Sequence, residues 1–227
     1  MVSDTSMIVT AAGRRVSGLG VRSTAVDLVR ETLRRAILNG ELAGGTHLGL
    51  SDVAAALDVS TTPVREALRE LATMGLVEFD AYRGGTVHVL SREDMEEIVR
   101  LRQVLEPIAI REAIKGMTPE LFARAESIAN QMPDEPDYAS WVDLNLSFHF
   151  AVYAASRSQR LISIIRMLQE STLMFVSAFL KDHPSLRARA MEEHRRLLEA
   201  IRAGEVESAV DLMLHHLTIP LRDRESQ

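Results

Sequence analysis

Three sets of side chains have types and spacings that could do chemistry. The first is histidine-based. His149 follows Asn145 by four residues in one helical segment, so the two side chains share a face, and His194 and His216 lie in two later segments. Imidazoles converging from three helices suit a divalent transition metal. They equally suit a core in which each histidine is simply hydrogen-bonded. His215 points ~100° away from His216 and is the poorer ligand. The second set is Thr61, Thr62, Arg65 and Arg69. With Thr61 at zero and ~100° per residue, Arg65, Arg69 and Thr62 fall within about 40–100°, while Val64, Ala67, Leu68 and Leu71 fall at about 240–340° and Glu66 and Glu70 at about 140–180°. One side is apolar, and the next presents two hydroxyls and two guanidiniums. Arg can grip phosphate, or the O6/N7 edge of guanine, through two parallel hydrogen bonds. An ordinary surface helix laced by Glu/Arg pairs would have the same composition. The third is Arg102, set among Ile98, Leu101, Leu105 and Ile108. A charge in an apolar stripe needs a partner. That partner is either an organic acid clamped bidentately or Glu106 at i+4.

The elements that must position these residues are mostly helical. Apolar residues at Val26, Val29, Leu33 and Ile37 predict a helix over 24–39, closed by Asn39-Gly40. Gly44-Gly45 marks a turn. Ser51 opens a short helix over 52–57, which Asp58-Val59-Ser60 breaks. The next helix starts near Thr61, with Ser60 as N-cap and Pro63 in its first turn, and ends at Met74 before Gly75. Leu76–Phe79 and Thr86–Leu90 alternate apolar with polar around a Gly-rich turn, which predicts a β-hairpin. Its tip is Arg83-Gly84-Gly85-Thr86. There the glycines let backbone approach a phosphate and Arg83 enter a minor groove, although a plain hairpin turn would use the same glycines. Three helices and a hairpin form a winged helix-turn-helix. From Ser91 onward helices are predicted over 94–115, 119–131, 139–156, 158–181, 185–203 and 205–222, with Pro133–Asp137 either separating two helices or bending a connection. The fold class is therefore mostly α, a winged helix-turn-helix over 23–90 followed by an all-α bundle of six or seven helices over 91–227. Residues 1–22, Gly/Ser-rich and aperiodic, read as a flexible arm.

Composition limits the function. The chain has 227 residues, 46% of them hydrophobic and 4% aromatic, which excludes a disordered chain. It has no Cys, so disulfides, cysteine-zinc sites and cysteine nucleophiles are excluded. No stretch reaches the ~20 apolar residues of a membrane span, and the N-terminus lacks a signal-peptide pattern, so a cytoplasmic location is expected. Net charge is −6, with 26 Lys+Arg against 32 Asp+Glu. Any contact with nucleic acid must therefore be local and directional, as the face bearing Arg65 and Arg69 would be.

Over about sixty residues the order and spacing of Leu33–Gly40, Ser51–Leu57, Val59–Leu71 and Gly75-Leu76-Val77 closely resemble the DNA-binding domain of GntR-family bacterial transcription regulators. The resemblance implies DNA contacts from Arg34, Ser60, Thr61, Thr62, Arg65, Arg69, Arg83 and Gly84. The family usually has Pro-Gly where this chain has Gly44-Gly45. It usually has Arg at Thr61, so the missing donor implies weaker or altered operator binding. The C-terminal segment is similar to the FCD effector domain of the FadR subfamily. The matching segments are Arg102–Glu106, Asn145–His149, Glu193-His194-Arg195, Ala200–Gly204 and His216-Leu217, with a 22-residue His–His spacing. That resemblance implies Asn145, His149, His194 and His216 as ligands of a divalent transition metal (Zn, Ni or Mn), with Asn where the family has Asp. Arg102, by its place in the apolar stripe, is the candidate for binding the effector, with the ion pair to Glu106 as the alternative. The expected protein is a ligand-responsive regulator, a repressor in most of the family. It would bind a pseudo-palindromic operator in double-stranded DNA as a homodimer, respond to a small organic acid, reside at the bacterial nucleoid and contact no membrane. The rival readings are a metal-dependent enzyme with a DNA-binding head, for which no nucleophile–base constellation is found, and a pure metal sensor.

Overall fold

The computed structural model describes residues 24–89, 91–173, 176, 183 and 185–218. The arm at 1–22, strand end Leu90, most of 174–184 and the end of the last helix beyond 218 lie outside the described residues. The chain divides into two compact units, one up to residue 90 and the other from Ser91 onward.

In the first unit, α1 (Ala25–Leu38) starts at Thr24, whose side chain accepts from the Asp27 amide while Asp27 reaches back to the Thr24 amide. The capping box satisfies two amides that the helix itself cannot. Val29, Leu33, Ala36 and Ile37 face inward. A two-residue strand β1 (His47–Leu48) follows, then α2 (Leu50–Leu57), which begins one residue before Ser51 with Gly49 as its cap. Asp58 in the left-handed region closes it. Helix α3 (Thr61–Thr73) buries Val64, Ala67, Leu68 and Leu71, the apolar face expected from the angular plot. Strands β2 (Val77–Asp80) and β3 (Gly84–Val87) form the hairpin, and β1 adds to the far edge of β3, so the sheet order is β1-β3-β2, all antiparallel.

Two details of the hairpin correct the sequence reading. Its tip is Ala81-Tyr82-Arg83, held by Asp80 Oδ1 accepting from the Tyr82 and Arg83 amides at 2.7 and 2.9 Å. Residues 84–87 are strand. Gly84 is buried with φ +101°, and a side-chain carbon there would collide with the Leu48 carbonyl. The glycine is needed where β1 crosses β3, a pairing too short to leave a periodic signal.

In the second unit, α4 (Arg92–Gly116) opens with a Ser91/Asp94 capping box. It is followed by α5 (Pro119–Ala129), a 3₁₀ turn (Met132–Asp134), α6 (Tyr138–Tyr153), a second 3₁₀ turn (Ala154–Ser156), α7 (Gln159–Ser171), α8 (Ser185–Ala203) and α9 (Val206–Leu217). That is six α-helices among the described residues. Pro133 sits in the 3₁₀ turn rather than within a helix. The core runs through Ala109, Ile110, Phe148, Val152, Tyr153, Ile165, Ile201 and Met213. Burying side chains of this size supplies about 1.5–3 kcal/mol each.

Helix α4 presents a different face to the core from the one expected. Its buried residues are Met95, Val99, Glu106, Ala109, Ile110 and Ala113, spaced by threes and fours, and Arg102 and Glu106 lie on that seam. Leu101 and Ile108, placed in the core stripe by hydropathy, are exposed, together with Val104. Ile164 and Met167 of α7, which packs against α4, are exposed as well.

Candidate functional site

The recognition-helix residues are solvent-facing. Ser60, Thr61, Thr62 and Arg69 are exposed, and Arg65 is half-buried. Ser60 stands at the N-cap, but its side chain makes no capping bond. The first amides of α3 thus lack a side-chain acceptor. Arg65 donates to the Ala81 carbonyl of the hairpin tip. Arg69 pairs with Glu66 at 2.9 Å and lies 5.6 Å from the centre of the Phe79 ring. On the far side Glu70 receives Arg30 of α1 at 2.5 Å. Both acids are therefore paired with Arg, and the side bearing Thr61, Thr62, Arg65 and Arg69 is solvent-facing although its two guanidiniums have partners within the domain. Arg83 is exposed beside Tyr82, which is 95% exposed and is the most prominent side chain of the hairpin tip. Arg34 is mostly covered, with Glu31 at 3.9 Å. Gly84 is buried, as described above. Composition could have singled out Tyr82 only if the tip had been placed at 81–83.

In the helical unit His149, His194 and His216 come together from α6, α8 and α9. Ring centres lie 5.0, 5.1 and 4.9 Å apart, and one nitrogen from each falls within 4.8 Å of the others. His149 and His194 are buried. Burial is the main reason both are held well below the ordinary histidine range, with the neighbouring imidazoles adding to it. Both rings are thus neutral, the form that coordinates metals.

The surroundings favour an ion. His149 Nδ1, both nitrogens of His194 and Asn145 Oδ1 are buried without any hydrogen-bond partner. A group of buried polar atoms left unpaired at one spot is costly unless something else satisfies them. His216 is oriented from behind, where its Nδ1 and Glu193 Oε2 are 2.9 Å apart. A carboxylate behind an imidazole fixes its tautomer and leaves Nε2 with a lone pair, the usual support for a metal-ligating histidine. Burial pushes the Glu193 carboxyl up, but the His216 bond and the Arg189 guanidinium at 3.2 Å more than offset this, and the group stays ionised below its ordinary range. His215 lies outside the cluster, 2.7 Å from Arg189 and 3.6 Å from Glu193. A carboxylate so occupied is an orienting group and a poor general base.

A cavity of about 70 Å³ opens beside the cluster, lined by Arg102, Trp141, Asn145, His149, Gln169 and His216 among others. Arg102 uses Nε to hold Glu106 at 2.6 Å. Of the two partners expected for Arg102, Glu106 at i+4 is the one present, and the Arg102 side chain also lines the cavity. Glu106, fully buried, also accepts from Tyr153 at 2.6 Å and from Gln169 at 3.0 Å. Burial, followed by the Glu106 charge, drives the Tyr153 phenol well above its ordinary range, so it serves as a fixed donor. Tyr153, Glu106 and Gln169 went unnoticed in the sequence as a group, since they are 47 and 63 residues apart from one another's partners along the chain.

Comparison with known proteins agrees with this division. Residues 26–87 match the family model described as bacterial regulatory proteins, gntR family, and residues 97–218 match the FCD domain. A probable D-xylose utilization operon transcriptional repressor from Paenarthrobacter nicotinovorans is 30% identical, over 86% of this chain and 87% of its own. Among solved structures, McbR/YncC of E. coli superimposes with a TM-score of 0.73 at 23% identity, covering 90% of this chain and all of that one. A putative GntR regulator from Rhodococcus sp. RHA1 gives 0.69 at 26% identity, covering 90% and 97%.

Proposed function

Since the chain belongs to the GntR family of DNA-binding transcriptional regulators and carries its FCD domain, we propose that it is a repressor whose grip on an operator is set by a small organic acid bound beside a metal ion in the helical unit. The observation that carries this reading is the set of buried, unpartnered ligand atoms at Asn145, His149 and His194, beside His216 and a cavity that Arg102 lines. Asn145, His149, His194 and His216 would hold the ion. Bound there, it would act as a Lewis acid with positions open to a carboxylate. Arg102 would orient the acid through its terminal nitrogens while Glu106 fixes its stem. With Asn145 in place of a carboxylate, the site carries one negative charge fewer, so affinity for the ion is lower than in an Asp-containing site.

On the DNA side, Thr61, Thr62, Arg65 and Arg69 would enter the major groove, with Ser60 and the first amides of α3 meeting phosphate. Arg83 and Tyr82 would reach the duplex from the hairpin. Arg34 would contribute at most from its exposed edge, and Gly84 through the shape of the hairpin. The units as divided give 23–90 for DNA and 91–227 for the effector, metal and dimer contacts. The exposed apolar side chains of α4 and α7 suit a second copy of the chain, and a homodimer would set two recognition helices on a pseudo-palindromic site. The acid would act by favouring one arrangement of the two DNA-binding units over another. The relatives are regulators, and Glu193, the carboxylate hydrogen-bonded to His216, is also held by Arg189, which favours a receptor over an enzyme.

The test is calorimetric. An acid that binds the free dimer should bind the operator-bound dimer with a different affinity. Equal affinities would sink the coupling. His194→Ala should remove bound metal, read by elemental analysis, while the helical circular dichroism is retained. Full metal stoichiometry in that variant would take His194 out of the ligand set. Operator release tracking metal alone, with no acid present, would favour a metal sensor.

A further inference from the structure

Two more residues that line the cavity carry a buried polar atom without a partner, and they lie outside the histidine cluster: Trp141 at Nε1 and Gln169 at Oε1. Each is held in its orientation. The Trp141 ring is clamped by Arg187, whose guanidinium lies 5.2 Å from it and 5.1 Å from the Tyr138 ring and donates to the Glu135 carbonyl. The Gln169 amide cannot flip, because its Nε2 donates to Glu106 at 3.0 Å and a carboxylate accepts only from a donor. Oε1 is therefore the end left over. Thr172, also on the wall, has spent its proton on the Gln169 carbonyl at 2.8 Å and cannot supply one to Oε1.

The two atoms have opposite requirements. Indole N–H only donates, and an amide oxygen only accepts. A methylene beside them satisfies neither. A second carboxylate would satisfy Trp141 and oppose Gln169, and an ammonium would satisfy Gln169, oppose Trp141 and stand against Arg102. A hydroxyl both accepts and donates. Resting on the reading that Arg102 and the histidine cluster hold an acid, we propose that the cavity selects a hydroxylated carboxylate, with Trp141 donating to hydroxyl oxygen on the acid and Gln169 accepting a hydroxyl proton from it. The carboxylate end explains Arg102, and the hydroxyl end explains the two atoms that neither the ion nor the carboxylate uses.

The experiment compares matched acids on the full chain supplied with Zn²⁺: acetate with glycolate, propionate with lactate, succinate with malate. Trp141 is the only tryptophan, so its emission reports directly on what enters the cavity, and calorimetry gives the affinities. At least one hydroxylated acid should bind about tenfold or more tightly than its deoxy partner, the cost of leaving buried hydrogen-bonding groups unmet. Trp141→Phe and Gln169→Met, each checked for retained helicity, should bring that ratio close to one. Equal binding within every pair overturns the hydroxyl subsite and leaves the acid receptor standing. So does a preference that survives both substitutions. If no acid of either kind binds, the receptor reading fails and takes this proposal with it.

Discussion

The two units hold their charged and polar groups in opposite ways. On α3, Glu66, Arg69 and Glu70 are exposed, and the pairs they make are short-range and solvent-screened. Partner DNA can take over such groups at little cost. In the helical unit Glu106, Glu193, His149 and His194 are all buried. There a charge is fully engaged, as at Glu106 and Glu193, or a polar atom is left without a partner, as at His149 Nδ1 and both nitrogens of His194. A surface that reads a polyanion needs adjustable cations, whereas a receptor for a small ligand needs fixed groups whose vacant valences define the ligand.

Substitutions should separate the two regimes. Glu106→Ala leaves Arg102, Tyr153 and Gln169 without their common acceptor in a buried site, so unfolding free energy should fall by about 3–5 kcal/mol. A loss below about 1 kcal/mol in urea titrations would mean the network is wet and loosely held. Arg65→Ala should barely alter stability but weaken operator binding by about 1–3 kcal/mol if it reads a base. Unchanged affinity would confine Arg65 to bracing the Ala81 carbonyl.

Acid should also discriminate. The unfolded chain titrates its histidines near the ordinary value, while His149 and His194 are depressed in the fold. The unfolded state therefore binds more protons below about pH 6.5. Stability of the metal-free helical unit should be complete above that pH and decline as the pH falls toward the depressed values, and the decline should exceed any in the DNA-binding unit, which buries no histidine among its described residues. Coincident melting shifts in the two units, followed by Trp141 emission for one and by operator binding for the other, would erase the contrast. The smallest effect is expected from Glu66→Ala. It removes a half-exposed pair with Arg69 and should change stability by less than about 0.5 kcal/mol; a larger loss would show that the surface of α3 is more tightly organised than its exposure suggests.

Much of this was legible in the chain. The apolar face of α3, the N-cap at Ser60 and the glycine stop after Met74 could be placed from spacing, because helix period and local capping act over three or four residues. The wing was only half legible. Its strands announce themselves by alternation, but β1 is two residues long, and its crossing of Gly84 depends on a partner forty residues away. Hydropathy misplaced part of the inward face of α4, since it counts Leu101 and Ile108 as core, although it set Arg102 in that stripe. The seam was decided by what lay opposite, namely Tyr153 and Gln169.

The amino-acid order alone thus determined the helices, the division near Ser91 and the donor face of α3, because each follows from periodicity or from residue type at short range, while the candidate metal ligands followed from the family resemblance. Only the tertiary structure decided that three imidazoles from separate helices meet within one ion's reach, that Glu193 stands behind His216, and that Trp141 and Gln169 line one cavity, each with a buried polar atom that has no partner. Such arrangements depend on how helices pack across distances the local chain does not encode, where burial turns an ordinary polar atom into a demand for a partner.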